Sequence, residues 1–326
     1  MCGLFGMLSR SWDGIQYGER QFLNDLAILN YFRGVHSYGL LKYHRETGLD
    51  VLKSPDTILF GVDSGDVDRF VTPENRYRKS KKGHIVQGPQ KNPIDLVVGH
   101  TRQATMGKVS EKNSHPFECR DFQLFHNGTI EGLTDIKNDP HYGNADTDSE
   151  RLAHLIQSKI GSENPSKEDY GTAICHALEH LAEDERVKKI TYALVLVTNH
   201  GDVLFIRNSA RPLSFAYTKT GLMFSSTGKS LQFAISQNYG CVSEEVTSKV
   251  FQDFDDSFKE EMFVGYKEHD EYLCLKPHML WMVSRGSPHV PSKTLYWDFS
   301  HLEQKEKRTK PEDAKNSGDP KTKIYH

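Results

Sequence analysis

The sequence has 326 residues, 37% of them apolar and 26% charged, with 25 Gly and 13 Pro. That length admits about two domains of roughly 150 residues, or one large mixed domain. The charge sum, 41 basic against 44 acidic residues or −3, excludes a general attraction for nucleic acid or an anionic membrane. No stretch approaches the roughly 18 uninterrupted apolar residues of a spanning helix.

Five scattered cysteines, Cys2, Cys119, Cys175, Cys241 and Cys274, offer no CxxC pair and no disulfide framework, so free thiols in a reducing compartment are expected. A basic region followed by an apolar core is absent at the N-terminus, and a cytoplasmic enzyme is the expectation.

In chain order, Leu4–Leu8 is a short apolar run that predicts a buried strand. Phe22, Leu23, Leu26 and Leu29 recur at helical spacing between Glu19 and Arg33. Residues 57–62 predict a strand, and the polar, basic stretch 73–83 predicts an exposed excursion. Two further strands are expected at 96–98 and 122–125, each ending in polar residues and Gly, where active-site groups are often held. Thr147 followed by Glu150 has the capping-box form, ahead of Leu152, Leu155, Ile156 and Ile160 on one helical face.

A second helix is expected over 168–183. The runs 190–197, 203–207, 213–217 and 222–225, divided by turn residues, read as an antiparallel meander. The runs 272–275 and 279–283 add edge strands in this reading. From about residue 301 the chain is charged and poor in apolar residues, which predicts a disordered tail. Strands and helices come in blocks, favouring a layered α+β fold over a parallel doubly wound sheet.

Cys2 carries the first chemical signal. With the initiator removed, the chain would begin with a residue holding a thiol and an α-amine together. Their reference pKa values, about 8.5 and about 7.7–8.0, both lie near working pH, so the amine can take the thiol proton. Acyl transfer to that thiolate needs donors for the developing oxyanion, which the Asn127 side-chain amide and the Gly128 backbone N–H could supply. An amino-acid substrate also needs its charged ends held. The Arg102 guanidinium suits an α-carboxylate, and the Asp148 carboxylate suits an α-ammonium.

Together these residues resemble the class II glutamine amidotransferases, the N-terminal-cysteine branch of the Ntn hydrolases. Cys2-Gly3-Leu4-Phe5-Gly6 is similar to that family's CGIxG opening, and Arg33–Gly39 to its RGxDSxG loop. Gly99–Gly107 resembles GHTRWATxG, Asn113–Pro116 resembles NAHP, His126-Asn127-Gly128 matches HNG, and Asp146–Glu150 resembles the SDTE-type turn.

The resemblance implies a four-layer αββα sandwich of two stacked, mainly antiparallel sheets. It implies Cys2 as nucleophile and, through its amine, base, with Asn127 and Gly128 as the oxyanion hole. Arg102 and Asp148 would bind the glutamine α-groups, Thr105 would line the pocket, and Arg33 would brace the loop around the nucleophile as part of the substrate-binding set. Three positions depart from the family pattern: His36 replaces its Asp, Gln103 its Trp, and Thr227, after Ser225-Ser226 in a stretch similar to the family's SSE, its Glu. With Gln103 the loop over the substrate is less apolar and admits more water, which loosens the coupling of cleavage to transfer.

No metal or other cofactor is expected. The histidines His100, His115, His126 and His141, with Cys119, match neither HExxH nor paired CxxC spacing. His100, His115 and His126 are expected to orient loops through hydrogen bonds.

The amidotransferase domain is expected over 2–290 and the polar tail over 291–326. The residues after the meander are too few for a second catalytic domain and carry no Gly-rich phosphate loop. A stand-alone amidotransferase that passes ammonia to a separate synthase subunit is therefore the first expectation. A γ-glutamyl conjugate hydrolase without an acceptor, and a non-catalytic binding protein on the same scaffold, are the alternatives.

Overall fold

The computed structural model describes residues 2–9, 11, 13–72, 77–79, 85–87, 93–217, 221–237, 262–264, 273–284, 295–302 and 322–324. In chain order they form β1 (Gly3–Ser9), α1 (Tyr17–Tyr31), β2 (Ser37–His44), β3 (Gly48–Ser54), α2 (Ile58–Asp63), α3 (Asp66–Val71), β4 (Tyr77–Lys79), β5 (Ile85–Gln87) and β6 (Ile94–Arg102). The chain continues through β7 (Phe117–Glu118), β8 (Phe122–Glu131), α4 (Asp148–Lys159), α5 (Lys167–Glu183), β9 (Lys189–Thr198), β10 (Val203–Arg207), β11 (Ser214–Tyr217), β12 (Gly221–Ser225) and α6 (Gly228–Ser236). β13 (Phe263–Val264), β14 (Leu273–Leu275), β15 (Met279–Val283), β16 (Leu295–Asp298) and β17 (Thr322–Ile324) complete the set.

Two antiparallel sheets stack face to face. One runs β13-β14-β11-β12-β1-β6-β2-β3 and the other β17-β16-β15-β10-β9-β8-β7, while β4 and β5 pair separately. Strand alternation sorts the core into three layers. On β1, Leu4 and Leu8 face Phe125, Val195 and Phe205 of the second sheet, whereas Phe5 and Met7 face Phe22, Leu23 and Leu26 of α1. On β8, Phe122, Leu124 and Ile130 turn away from the first sheet onto Leu152 and Ile156 of α4 and Ile174 and Leu178 of α5. The order helix, sheet, sheet, helix is the four-layer α+β sandwich.

Four expectations change. Residues 57–62 carry a helix, not a strand: Ile58 and Gly61, three apart, are the buried pair of α2, and Gly61 lies against the Tyr38 ring. Six residues are too few for apolar content alone to separate the two periods.

The expected meander is divided between the layers. β9 and β10 pair in one sheet and β11 and β12 in the other, and the chain crosses at 208–213, where Arg207 donates to the carbonyls of Asn208 and Arg211 at 3.0 and 3.3 Å. The two late strands are interior: β14 lies between β13 and β11, and β15 between β10 and β16. Residues expected in the tail take part in the fold as well, since β16 pairs β15 and β17, and Trp297, Phe299 and Leu302 are buried. The basic stretch 73–83 falls largely outside the described residues.

Trp297 packs so tightly on α5 that a Cβ on Gly171 would meet its ring at 2.3 Å. Trp297→Ala is therefore expected to lower unfolding free energy by about 3–5 kcal/mol, read from the urea midpoint. An unchanged midpoint would place residues 295–302 outside the cooperative core. Among the described residues, no helix is long and apolar enough to cross a membrane.

Candidate active site

Strand pairing assembles the site at one end of the first sheet. β1 lies antiparallel to β6 with Gly3 opposite Thr101, and β2 lies antiparallel to β6 with Ser37 opposite Arg102. Cys2, one residue ahead of β1, therefore meets the segment leaving β6. The Gln103 N–H donates to Cys2 Sγ at 3.3 Å, and the thiol points back at the Gln103 carbonyl at 3.7 Å. Arg33, just past α1, donates from Nε to the Cys2 carbonyl at 2.9 Å.

Burial pushes the Cys2 thiol up, against the pull of the Gln103 N–H and the Arg102 charge, while the Asp148 carboxylate adds to the rise. A thiol in that setting rests protonated, so its use as a nucleophile calls for a base.

Arg102 ends β6 buried. It donates to the carbonyls of Lys108 at 3.1 Å and Met106 at 2.5 Å, closing the loop 103–108 around itself. Two of its five N–H groups are engaged in these contacts, which leaves donors for an anion.

β8 of the second sheet supplies the opposite wall. Asn127 donates to Ser226 Oγ at 3.1 Å, and Ser226 in turn exchanges two bonds with Leu4, each 2.7 Å. The Asn127 amide is thereby tied to β1 two residues beyond the thiol. At Gly128 a Cβ would lie 1.9 Å from the Thr191 carbonyl oxygen, so the β8–β9 pairing requires glycine there.

Asp148 opens α4. It accepts the Ile130 N–H at 2.8 Å and the Ser149 N–H at 3.0 Å, next to the Thr147 cap, whose hydroxyl accepts the Glu150 N–H at 3.2 Å. Only this half of the expected capping box forms, because no bond returns from Glu150 to the Thr147 backbone.

These walls bound a cleft open to solvent and lined by Cys2, Arg102, Gln103, Thr105, Gly128 and Asp148, with His115, Phe117 and Ser149 beside them. Of the residues singled out from sequence, Cys2, Arg102, Thr105, Gly128 and Asp148 line this cleft, Asn127 lies next to Gly128 in β8, and Arg33 reaches the Cys2 backbone from outside the lining.

The histidines divide. His126 hydrogen-bonds Ser149 Oγ at 2.9 Å and the Thr191 carbonyl at 3.2 Å, as expected. His115 instead packs against His100 with ring centroids 3.9 Å apart and the rings tilted by 42°, and among the described residues its ring nitrogens meet no hydrogen-bond partner. Burial holds both rings neutral, His100 at about 3 and His115 well below its ordinary value. Ser226 and Ser149, which orient the Asn127 side chain and His126, carry no sequence signal separate from the motifs around them. Away from the cleft, Cys175, Glu179 and His301 gather their ligand atoms within 4.8 Å, with His301 bonded to Glu179 at 2.9 Å.

Residues 64–220 match the family model of the class II glutamine amidotransferases. The chain is 44% identical over 69 residues to a glutamine–fructose-6-phosphate aminotransferase (isomerizing) of Francisella tularensis subsp. tularensis, which covers 20% of this chain and 11% of that one. It is 29% identical over 221 residues to the Thermococcus kodakarensis protein of the same name, covering 65% of this chain and 30% of that one. Against the solved structure of the glutamine phosphoribosylpyrophosphate amidotransferase of B. subtilis the TM-score is 0.52 at 17% identity, covering 88% of this chain and 49% of that one, a likeness of fold alone. The chain thus spans less than a third of these two curated relatives and about half of the solved chain.

Proposed function

We propose that this chain, whose residues 64–220 match the class II glutamine amidotransferase model, hydrolyses the γ-amide of glutamine in its cleft through a γ-glutamyl thioester on Cys2. One observation carries the reading: a thiol, a buried guanidinium and a buried carboxylate line one cleft. Arg102 takes the α-carboxylate and Asp148 the α-ammonium, which sets the γ-carbonyl toward Cys2.

The freed α-amine of Cys2 accepts the thiol proton as sulfur attacks. The Asn127 amide and the Gly128 N–H stabilise the oxyanion. Collapse breaks the C–N bond, and the amine returns its proton to the departing nitrogen, releasing ammonia. Water then attacks the thioester, yielding glutamate and the free thiol. The ammonia is delivered to a separate acceptor enzyme, and the four described cysteines, all free thiols, fit a reducing, cytoplasmic setting.

The test pairs turnover with intermediate trapping. Ammonia release from L-glutamine is measured against γ-glutamyl peptides, with acid-quenched protein mapped for a γ-glutamyl adduct on the Cys2 peptide. Glutamine is expected to be the better substrate and to leave the adduct. Arg102→Lys is expected to raise KM by at least about tenfold with a smaller change in kcat, since an ammonium cannot make the guanidinium's bidentate contact. Cleavage of peptides but not glutamine would shift the assignment to a conjugate hydrolase, and no adduct from either substrate would sink it.

A further inference from the structure

Residues 102–104 are held from both sides by one amino acid. The His36 N–H donates to the Arg102 carbonyl at 3.0 Å, and the Ala104 N–H donates to His36 Nδ1 at 2.9 Å. Gln103, bracketed between those two bonds, makes both polar contacts of the Cys2 thiol, at 3.3 and 3.7 Å. The next residue but one, Thr105, lines the cleft.

His36 is in turn fixed through its neighbour Ser37, which pairs with Arg102 in the sheet and exchanges a hydroxyl bond with Ser114 at 2.9 Å. An Nδ1 that accepts a proton belongs to the neutral Nε2–H tautomer. A hydrogen bond at the end of a strand, where the ladder stops, is the restraint that keeps such a loop in one conformation.

We propose that His36 is a positioning residue for the nucleophile: by accepting the Ala104 N–H at Nδ1 it fixes the Gln103 backbone, and through it the Cys2 sulfur. His36 touches neither substrate nor the reacting atoms in this assignment. The inference rests on the glutaminase reading for its kinetic consequence but not for its structural one.

The two nitrogens of an imidazole can be told apart by amide replacement. An Asn carbonyl oxygen reaches about where Nδ1 sits, and the longer Gln reaches the Nε2 position. In the full chain, His36→Ala is expected to lower kcat for glutamine about tenfold, the weight of one hydrogen bond of about 1.4 kcal/mol, with KM changed less. His36→Asn is expected to recover activity to within about twofold of the parent, and His36→Gln to resemble the Ala variant.

The second readout needs no substrate: the iodoacetamide alkylation rate of Cys2, followed by peptide mapping, should change severalfold in the Ala and Gln variants and return with Asn. Equal behaviour of all three variants, whether like the parent or equally impaired, would overturn the proposal. If the parent protein fails to turn over glutamine, the functional reading falls, and the alkylation series alone decides the role of His36. Should the Ala variant not fold, the Asn–Gln contrast still decides it.

Discussion

Replacing Cys2 with alanine is expected to abolish ammonia release from glutamine, by at least about a thousandfold, in a protein that stays folded. The two halves of that statement have separate causes. Activity is lost because the substitution removes the one thiol among the described residues that line the cleft, where Met106 adds only a thioether. Folding survives because what Cys2 gives the architecture is backbone: its carbonyl accepts the Arg33 Nε–H, a bond that alanine keeps, while the thiol's own contacts are a weak pair with Gln103. The melting temperature should shift by no more than about 3 °C. Residual turnover above a few per cent in a mass-verified variant would remove Cys2 from the reaction.

The same residue makes a second demand. Burial raises the thiol's pKa, so at neutral pH the proton must be taken before sulfur attacks. Besides the Asp148 carboxylate, which already accepts the Ile130 and Ser149 N–H groups, the cleft lining offers the imidazoles of His115 and His126 as bases. Burial lowers the pKa of both, and His126 is bonded to Ser149 and to the Thr191 carbonyl. The terminal amine is the base in the proposed reaction. In a chain retaining Met1, the Cys2 nitrogen lies in a peptide bond and has no basic lone pair, so such a protein should be as inert as the alanine variant despite an intact thiol. Excising a cleavable leader to expose Cys2 should restore turnover.

How much of this could be read from the sequence depended on the range of the interactions involved. The apolar runs at 4–8, 96–98 and 122–125 marked β1, β6 and β8, because alternation in a strand is local information. The Thr147 cap marked the start of α4 for the same reason. The cleft itself was foreshadowed by motif residues: Cys2, Gln103 and Asp148 lie at the ends of strands and a helix, whereas Asn127 and Gly128 sit inside β8, paired with Ala193 and Tyr192.

What stayed hidden was non-local. Nothing in the residues 190–225 says that β9–β10 and β11–β12 belong to different sheets, because that is decided by which partner each finds in β8 and β1. The packing of His115 against His100, and the link from Asn127 through Ser226 to Leu4, likewise join segments far apart in the chain. α2 was misread for a different reason: one and a half turns of Ile, Leu and Phe look like a strand unless the burial of Ile58 and Gly61 is known.

Gly128→Ala is expected to cost both stability and catalysis, and its geometry shows why. The added methyl would sit 1.9 Å from the Thr191 carbonyl oxygen and 2.4 Å from His126 Nε2. Neither neighbour can yield cheaply. Thr191 is held in the β8–β9 ladder, with Thr129 opposite it, and His126 is fixed between Ser149 Oγ and the Thr191 carbonyl. The strands must part or the imidazole must swing, at about 1–3 kcal/mol of folding free energy.

Either movement displaces the Gly128 N–H, and a swing of His126 releases Ser149, whose own N–H bonds Asp148. The proposed oxyanion donor and the proposed ammonium-binding carboxylate would be disturbed together. At a temperature where the variant is verified as folded, kcat/KM for glutamine is expected to fall at least about a hundredfold, in line with the loss of one oxyanion donor. A folded Gly128→Ala protein within about twofold of the parent would show that the peptide N–H at 128 does not face the transition state.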